Sequence, residues 1–274
     1  MWIYLPRLVM LVFTSLMLTA TAFARDAGAA RGTVFDITHF DVLPVTTPFD
    51  SEQIAYAALF AYRDASASDP GSQSFRIINW LEATNHSFIV DVWKNHEAFE
   101  QHLAQPHSVD FRFAVQNLPP PDELCCIGSP IDDRQYSLVA SFGTPWTSNQ
   151  LPTTVGSDGA LFVIIYVDFL QEVLKQENPG QGPNQLVQYG DTTSAANNGH
   201  LLNYSVLQQL DRPNRFVILE VWDTQASYTT WLGNAETTSF VTKITPALGS
   251  PLDSRLNNLC GATYVDGTGC TPPP

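Results

Sequence analysis

Between Phe35 and Leu43 the chain reads FDITHFDVL, an interleaving of apolar and polar residues that predicts a first strand. From Ser51 to Ala65 the period changes: Ile54, Ala58, Leu59 and Tyr62 fall on one helical face, with Ser51 placed to cap the N-terminus. SFRIINWLEA and SFIVDVWK follow, joined by TNH, and predict an antiparallel hairpin. Alternation along its second arm puts Ile89, Asp91 and Trp93 on one face and Phe88, Val90 and Val92 on the other. Asn95 then suits an N-cap, and Phe99 and Leu103 stand four apart on the helix it opens. Pro106 cannot continue that helix without losing a backbone hydrogen bond, so it begins a second helical piece. RQYSLVASF supplies a closing strand.

The pattern then repeats. VDVWKNHEAFEQHLAQPHSVDF, from Val90, returns from Leu219 as LEVWDTQASYTTWLGNAETTSF. GSPIDDR (Gly128 to Arg134) returns as GSPLDSR (Gly249 to Arg255), and VFDITHFDVL has a weaker echo in LFVIIYVDFL. Matches in the same order mark one unit carried twice. This reading divides the chain into residues 25–142 and 159–274, the second with a C-terminal tail, around a linker at 143–158 rich in Gly, Pro, Ser and Thr. After Arg255 no closing strand of equal regularity is legible. Strand, helix, strand, strand, helix, strand is the ferredoxin-like α+β order, a four-stranded antiparallel sheet with helices on one face. Two such units can cover each other's bare faces, sheet against sheet, in a closed barrel.

The ends add a setting. Residues 1–24 read as an export signal, with Arg7, an apolar run from Leu8 to Leu18 and Ala22-Phe23-Ala24 as a small-x-small cleavage site. The apolar run is short for a membrane span. The mature chain is then expected outside the cytoplasm, periplasmic or extracellular. The whole chain has 13 basic and 27 acidic residues, net −14, and removal of Arg7 makes it −15. That sign repels phosphate backbones and argues against nucleic acid as a partner. Cys125, Cys126, Cys260 and Cys270 fit an oxidising compartment and structural disulfides, with the pairing left open. Their spacing matches no zinc signature.

VDVWKNHEAFEQHLAQPH followed by SPIDDRQY resembles the antibiotic-biosynthesis-monooxygenase superfamily of dimeric α+β barrels. The resemblance covers roughly residues 33–142 and 159–257. Members usually pair two chains, so this one reads as a fused pair that closes its barrel internally, as a monomer. Many members oxygenate an electron-rich aromatic with O2 and no cofactor. Such chemistry needs an apolar pocket, a base, and donors that steady the resulting anion.

The resemblance places His102 and His107 at the family's "HL…PH" positions, His107 being the favoured base and His102 the alternative. Trp93 stands where haem-degrading relatives keep a functional tryptophan, with Asp91 beside it on the same strand face. Glu220 and Trp222 repeat that pair in the second unit. Trp222, Phe99 and His39 join as substrate-binding candidates. The structural alternative makes both tryptophans core, with the carboxylates at a wet edge or paired with Arg134 and Arg255, and makes the histidines surface residues. Trp231 and Glu236 replace the two histidines in the second copy, so an active pocket is expected in the first unit alone. His86 and His96 call for no functional reading. His102 and His107 are five apart with Pro106 between, which breaks helical metal-site spacing, so no metal is expected. The leading function is a cofactor-independent monooxygenase for a quinol-like or polycyclic phenolic substrate. Its alternative is a non-catalytic module for a hydrophobic small molecule, or haem through His39 or His107, with the second unit as scaffold.

Overall fold

The computed structural model describes residues 32–42, 51–83, 85–116, 131–151, 160–175, 182–259, 263–264 and 270–271. The proposed leader, Cys125, Cys126, Cys260 and the Cys270 side chain lie outside the described residues. The first unit runs β1 (Val34–Asp41), α1 (Ser51–Ser66), β2 (Ser72–Trp80), β3 (His86–Trp93), α2 (His96–Leu103), α3 (Pro106–Gln116) and β4 (Asp132–Gly143). The second runs β5 (Leu161–Asp168), α4 (Gln171–Lys175), α5 (Pro183–Ala196), β6 (Leu201–Gln209), β7 (Arg215–Trp222), α6 (Gln225–Leu232), α7 (Ala235–Ile244) and β8 (Asp253–Leu259). A short pair, β9 (Thr263–Tyr264) and β10 (Cys270–Thr271), follows.

Local chemistry explains the repeated helix starts. Asn95 accepts a hydrogen bond from the Ala98 amide at 2.9 Å, and Thr224 accepts one from the Ser227 amide at 3.1 Å. Each satisfies an amide that the first helical turn leaves unpaired. Pro106 begins α3, where its missing N–H costs nothing.

The strands close into one barrel in the order β1-β3-β2-β8-β5-β7-β6-β4. Each unit contributes the ferredoxin-like order, β4-β1-β3-β2 and β8-β5-β7-β6, and the seams are β2 with β8 and β4 with β6. The chain is thus two fused ferredoxin-like units forming an internal dimeric α+β barrel. The strand missing from the sequence pattern is β8, which pairs with β5 from Leu161↔Asn258 to Tyr166↔Asp253.

Strand alternation sorts the two faces. Phe35, Ile37, Phe88, Val90, Val92 and their counterparts on β5 and β7 fill the barrel interior. The opposite face of the first unit packs Phe40, Ile77 and Ile89 under Tyr56, Leu59 and Phe111. Full burial of each such side chain contributes roughly 1.5–3 kcal/mol.

The stretch read as a linker does more than connect. Trp146 and Leu151 are 3% and 1% exposed and belong to the barrel core. The Arg76 guanidinium lies 5.3 Å from the Trp146 ring centroid and donates to the Trp146 carbonyl at 2.7 Å. Composition signals the chain reversal here, but the plug is made by two large apolar side chains inside it.

Candidate active site

Asp36 on β1 stands opposite Asp91 on β3, and the face they share looks toward the helices rather than into the barrel. Trp93 lies on the same face and donates its indole N–H to Asp91 Oδ2 at 2.7 Å. In the second unit Trp222 donates to Glu220 Oε2 at 2.8 Å. Burial pushes Asp91 up to about 8 and Glu220 up to about 7, the indole bond opposing the rise in both. Near pH 7 Asp91 is therefore largely a neutral acid, and Glu220 is about half protonated. Arg134 and Arg255 take other partners, Asp132 and Asp253, so the carboxylate–indole pairs are closed without arginine.

The two units diverge one layer out. In the first, His102 on α2 stacks on Trp93 with ring centroids 4.3 Å apart. Its Nδ1 is 2.6 Å from Asp69 Oδ2, and its Nε2 is 2.7 Å from the Tyr62 hydroxyl and 3.1 Å from Ser108 Oγ. Since the carboxylate accepts, Nδ1 carries the proton and Nε2 accepts from Tyr62. Desolvation lowers the His102 pKa, with Asp69 opposing, which favours this neutral form. His107 on α3 reaches the same carboxylate oxygen, Nε2 to Asp69 Oδ2 at 2.9 Å. His102 is sealed, at 0% side-chain exposure, whereas His107 keeps 24%.

Asp69 is delivered by the turn between α1 and β2. Gly71 in that turn has φ 90°, and a Cβ on it would lie 2.5 Å from the Ala98 Cβ. Only glycine combines that conformation with so close an approach to α2. The approach is what brings Asp69 onto the histidines of α2 and α3.

The second unit carries the same frame without the two imidazoles and the carboxylate they share. Aligning Gly71 with Gly199 sets Asp69 against Asn197, and the Trp blocks set His102 against Trp231 and His107 against Glu236. Trp231 Nε1 donates to the Tyr189 hydroxyl at 2.8 Å, where the first unit has Tyr62 on His102. Asn197 turns back on its own segment, donating to the Thr193 carbonyl and accepting from the Leu201 amide.

An acidic cluster flanks the first-unit array. Thr38 donates to Asp36 Oδ2 at 2.9 Å, and Arg112 donates to Asp133 Oδ2. Burial, then the Asp91 and Asp133 charges, raises Asp36 well above the carboxylate range. Asp133 is desolvated too, yet hydrogen bonds with Asp36 and Arg112 hold it low. Asp36 is thus the member of the pair that keeps its proton and Asp133 the one that ionises.

The predicted site residues do not all meet. Asp91, Trp93, Phe99, His102 and His107 gather in the helix layer of the first unit, Phe99 as buried packing with Trp93, Val34 and Ala98. His39 leaves the group: it lies on the opposite sheet face, stacked on Phe88 at 4.6 Å, and lines a 280 Å³ cleft at one barrel mouth. Trp222 leaves it as well, packed among Tyr228, Ile244 and Leu186 of the second unit. Sequence spacing missed Asp69 and Tyr62 as members. The break at Pro106 that spoils helical metal-site spacing is also what lets His102 and His107 share one carboxylate, and Asp69, His102 and His107 form a group able to hold a cation.

The family described as antibiotic biosynthesis monooxygenase matches residues 46–112 and 186–243, one segment in each unit. Each unit thus carries a segment similar to that family. Solved structures carry the same tandem fold. A candidate monooxygenase from Fusobacterium nucleatum subsp. nucleatum aligns with a TM-score of 0.62 at 12% identity, over 88% of this chain and 97% of that one. A second, from Lactobacillus acidophilus, gives 0.56 at 13% identity over 89% and 100%. An anthrone oxidase-like protein gives 0.53 at 12% identity over 87% and 98%. At these identities the likeness is one of fold. No curated protein matches the chain.

Proposed function

We propose that the chain is a cofactor-independent monooxygenase whose single active site is the helix layer of the first unit, acting on a quinol-like or polycyclic phenolic molecule. The observation carrying this reading is the Asp69 carboxylate shared by His102 and His107, set against its replacement by Asn197, Trp231 and Glu236. The family match in both units supports the reaction class.

His107 is the base that meets substrate, since it alone of the pair keeps solvent access. With Nε2 donating to Asp69, Nδ1 takes the proton, and the carboxylate steadies the imidazolium. His102 is a positioning residue: it anchors Asp69 and stacks on Trp93. For an anthrone-type substrate, proton removal gives a carbanion that passes one electron to O2, and the radical pair recombines as a peroxide. The peroxide anion takes a proton back from His107. Loss of the remaining C–H proton and of hydroxide then leaves a carbonyl and water, one oxygen atom in each.

The setting we propose is outside the cytoplasm, supported by the leader at residues 1–24 and the four cysteines, with the chain active as a monomer because its barrel closes internally. Incubation of purified protein with ¹⁸O2 and a panel of hydroquinones and anthrones tests the reaction. One labelled atom in the product, at a rate proportional to protein, is the expected result. Binding of the same compounds with no incorporation would replace the enzyme by the binding module.

A further inference from the structure

We propose that His39, Asp41 and His86 form a binding site for a divalent first-row transition-metal ion at the mouth of the barrel, distinct from the helix-layer site. Asp41 ends β1 and His86 begins β3, opposite each other in the ladder, and His39 lies two residues back on β1. His39 Nε2 is 3.2 Å from His86 Nδ1 and 3.2 Å from Asp41 Oδ1, and His86 Nδ1 contacts the same Asp41 oxygen. The three atoms converge on one point.

Protons alone serve that geometry poorly. If both imidazoles donate to Asp41 Oδ1, two N–H groups face each other across the 3.2 Å nitrogen contact. A single cation satisfies all three lone pairs together. Two nitrogens and an oxygen at about 2.0–2.2 Å from a tetrahedral ion stand roughly 3.3–3.5 Å apart, close to the two 3.2 Å spacings that His39 makes, while the tighter His86–Asp41 contact would open to admit the ion. Two imidazoles and one carboxylate on one side of an ion, with other positions open, are a common donor set for zinc and for iron.

The surroundings fit a ligand site. The three side chains are 20–26% exposed, rooted yet reachable. His39 is held parallel to His86, with an interplanar angle of 8°, while Phe88 stacks on His39 and the Trp80 edge meets His86. His39 faces the 280 Å³ cleft, which leaves room for water or a small ligand on the ion. Arg134 and Arg255 also line that cleft, but each is ion-paired, with Asp132 and Asp253. The second unit supplies the contrast. Its equivalents are Tyr166, Asp168 and Arg215, and there Arg215 Nε pairs with Asp168 Oδ1 at 3.1 Å. A resident guanidinium thus fills the place that the first unit leaves to two imidazoles. The helix-layer group Asp69, His102 and His107 is the weaker cation site, because His102 is sealed from solvent and its second nitrogen is bonded to Tyr62.

The test is titration of the full-length, tag-free, chelator-treated chain with zinc(II) by calorimetry and with cobalt(II) by visible absorption. One equivalent is expected, with visible cobalt bands. His39→Ala should weaken binding by at least about 10–100-fold, the range that loss of outer-shell support alone produces. His86→Gln provides the same reading should His39→Ala fold poorly, and His102→Ala should leave the equivalent in place. Absence of binding, or binding lost in His102→Ala but kept in His39→Ala and His86→Gln, overturns the proposal.

Discussion

The indole N–H of Trp231 donates to the Tyr189 hydroxyl at 2.8 Å, in the place where the first unit sets the His102 imidazole 2.7 Å from the Tyr62 hydroxyl. One contact preserves packing and the other adds a group that can exchange a proton. An indole cannot do so, since it is a donor only. The pair shows how duplication has kept the frame in both units while the acid–base array stands in one.

Asp69→Asn should lower turnover by about 10²–10⁴-fold, the scale of general acid–base catalysis. The fold should survive, because Asn197 occupies the equivalent turn of the second unit. A structural role alone would lower the folded fraction instead, so steady-state kinetics at equal folded protein, checked by circular dichroism, should show the loss in kcat.

His102→Ala removes a buried ring stacked on Trp93, takes from the Tyr62 hydroxyl its imidazole acceptor and leaves Asp69 with the His107 bond. A cost of about 2–4 kcal/mol is expected from the lost packing and the lost hydrogen bonds. Urea denaturation should register it as a lower midpoint with an unchanged slope.

The buried acids set a pH dependence of stability. Asp91 titrates near 3.8 when exposed and at about 8 when folded, and Glu220 rises from 4.5 to about 7. At pH below both values each state holds the proton. Between roughly pH 4 and pH 8 the unfolded chain has lost it while the folded chain retains it, so stability falls as pH rises. Asp91→Asn should flatten that fall, raising Tm relative to the native chain at pH 8 and leaving no gain at pH 4. Thermal unfolding at both pH values decides the matter.

Trp146→Ala should destabilise the chain by about 3–5 kcal/mol, the usual cost of truncating a buried aromatic. It unplugs the barrel and leaves Arg76 over an emptied site. Loss of the indole contact with Phe162, now 5.8 Å between centroids, should also change the near-ultraviolet dichroism.

Much of this architecture is legible because period-two alternation and cap residues are local. Asp91 and Trp93 share a face in the sequence and in the fold, and Asn95 and Pro106 open helices where their chemistry puts them. Which face meets the helices is not local. His39 alternates with Phe35 and Ile37, and only barrel closure reveals that their side is the interior. Asp69 comes from a turn more than thirty residues before the histidines it joins, so spacing between the histidines could not reveal it. A signal was present: DPG at Asp69 to Gly71 aligns with NNG at Asn197 to Gly199, an acid lost in the same copy that lost the imidazoles. Trp146 and Leu151 sit among turn formers, and the partners that bury Trp146, Arg76 of β2 and Phe162 of β5, are distant in sequence.

Oxygen uptake by His107→Ala and Glu236→Ala variants, at equal protein and on the most reactive hydroquinone or anthrone, tests the central claim most directly. The substitutions fall at matching positions of the two copies. Uptake in His107→Ala should collapse by about 10²-fold or more while Glu236→Ala keeps the native rate. Equal loss in both, or loss in Glu236→Ala alone, would contradict a single active site in the first unit.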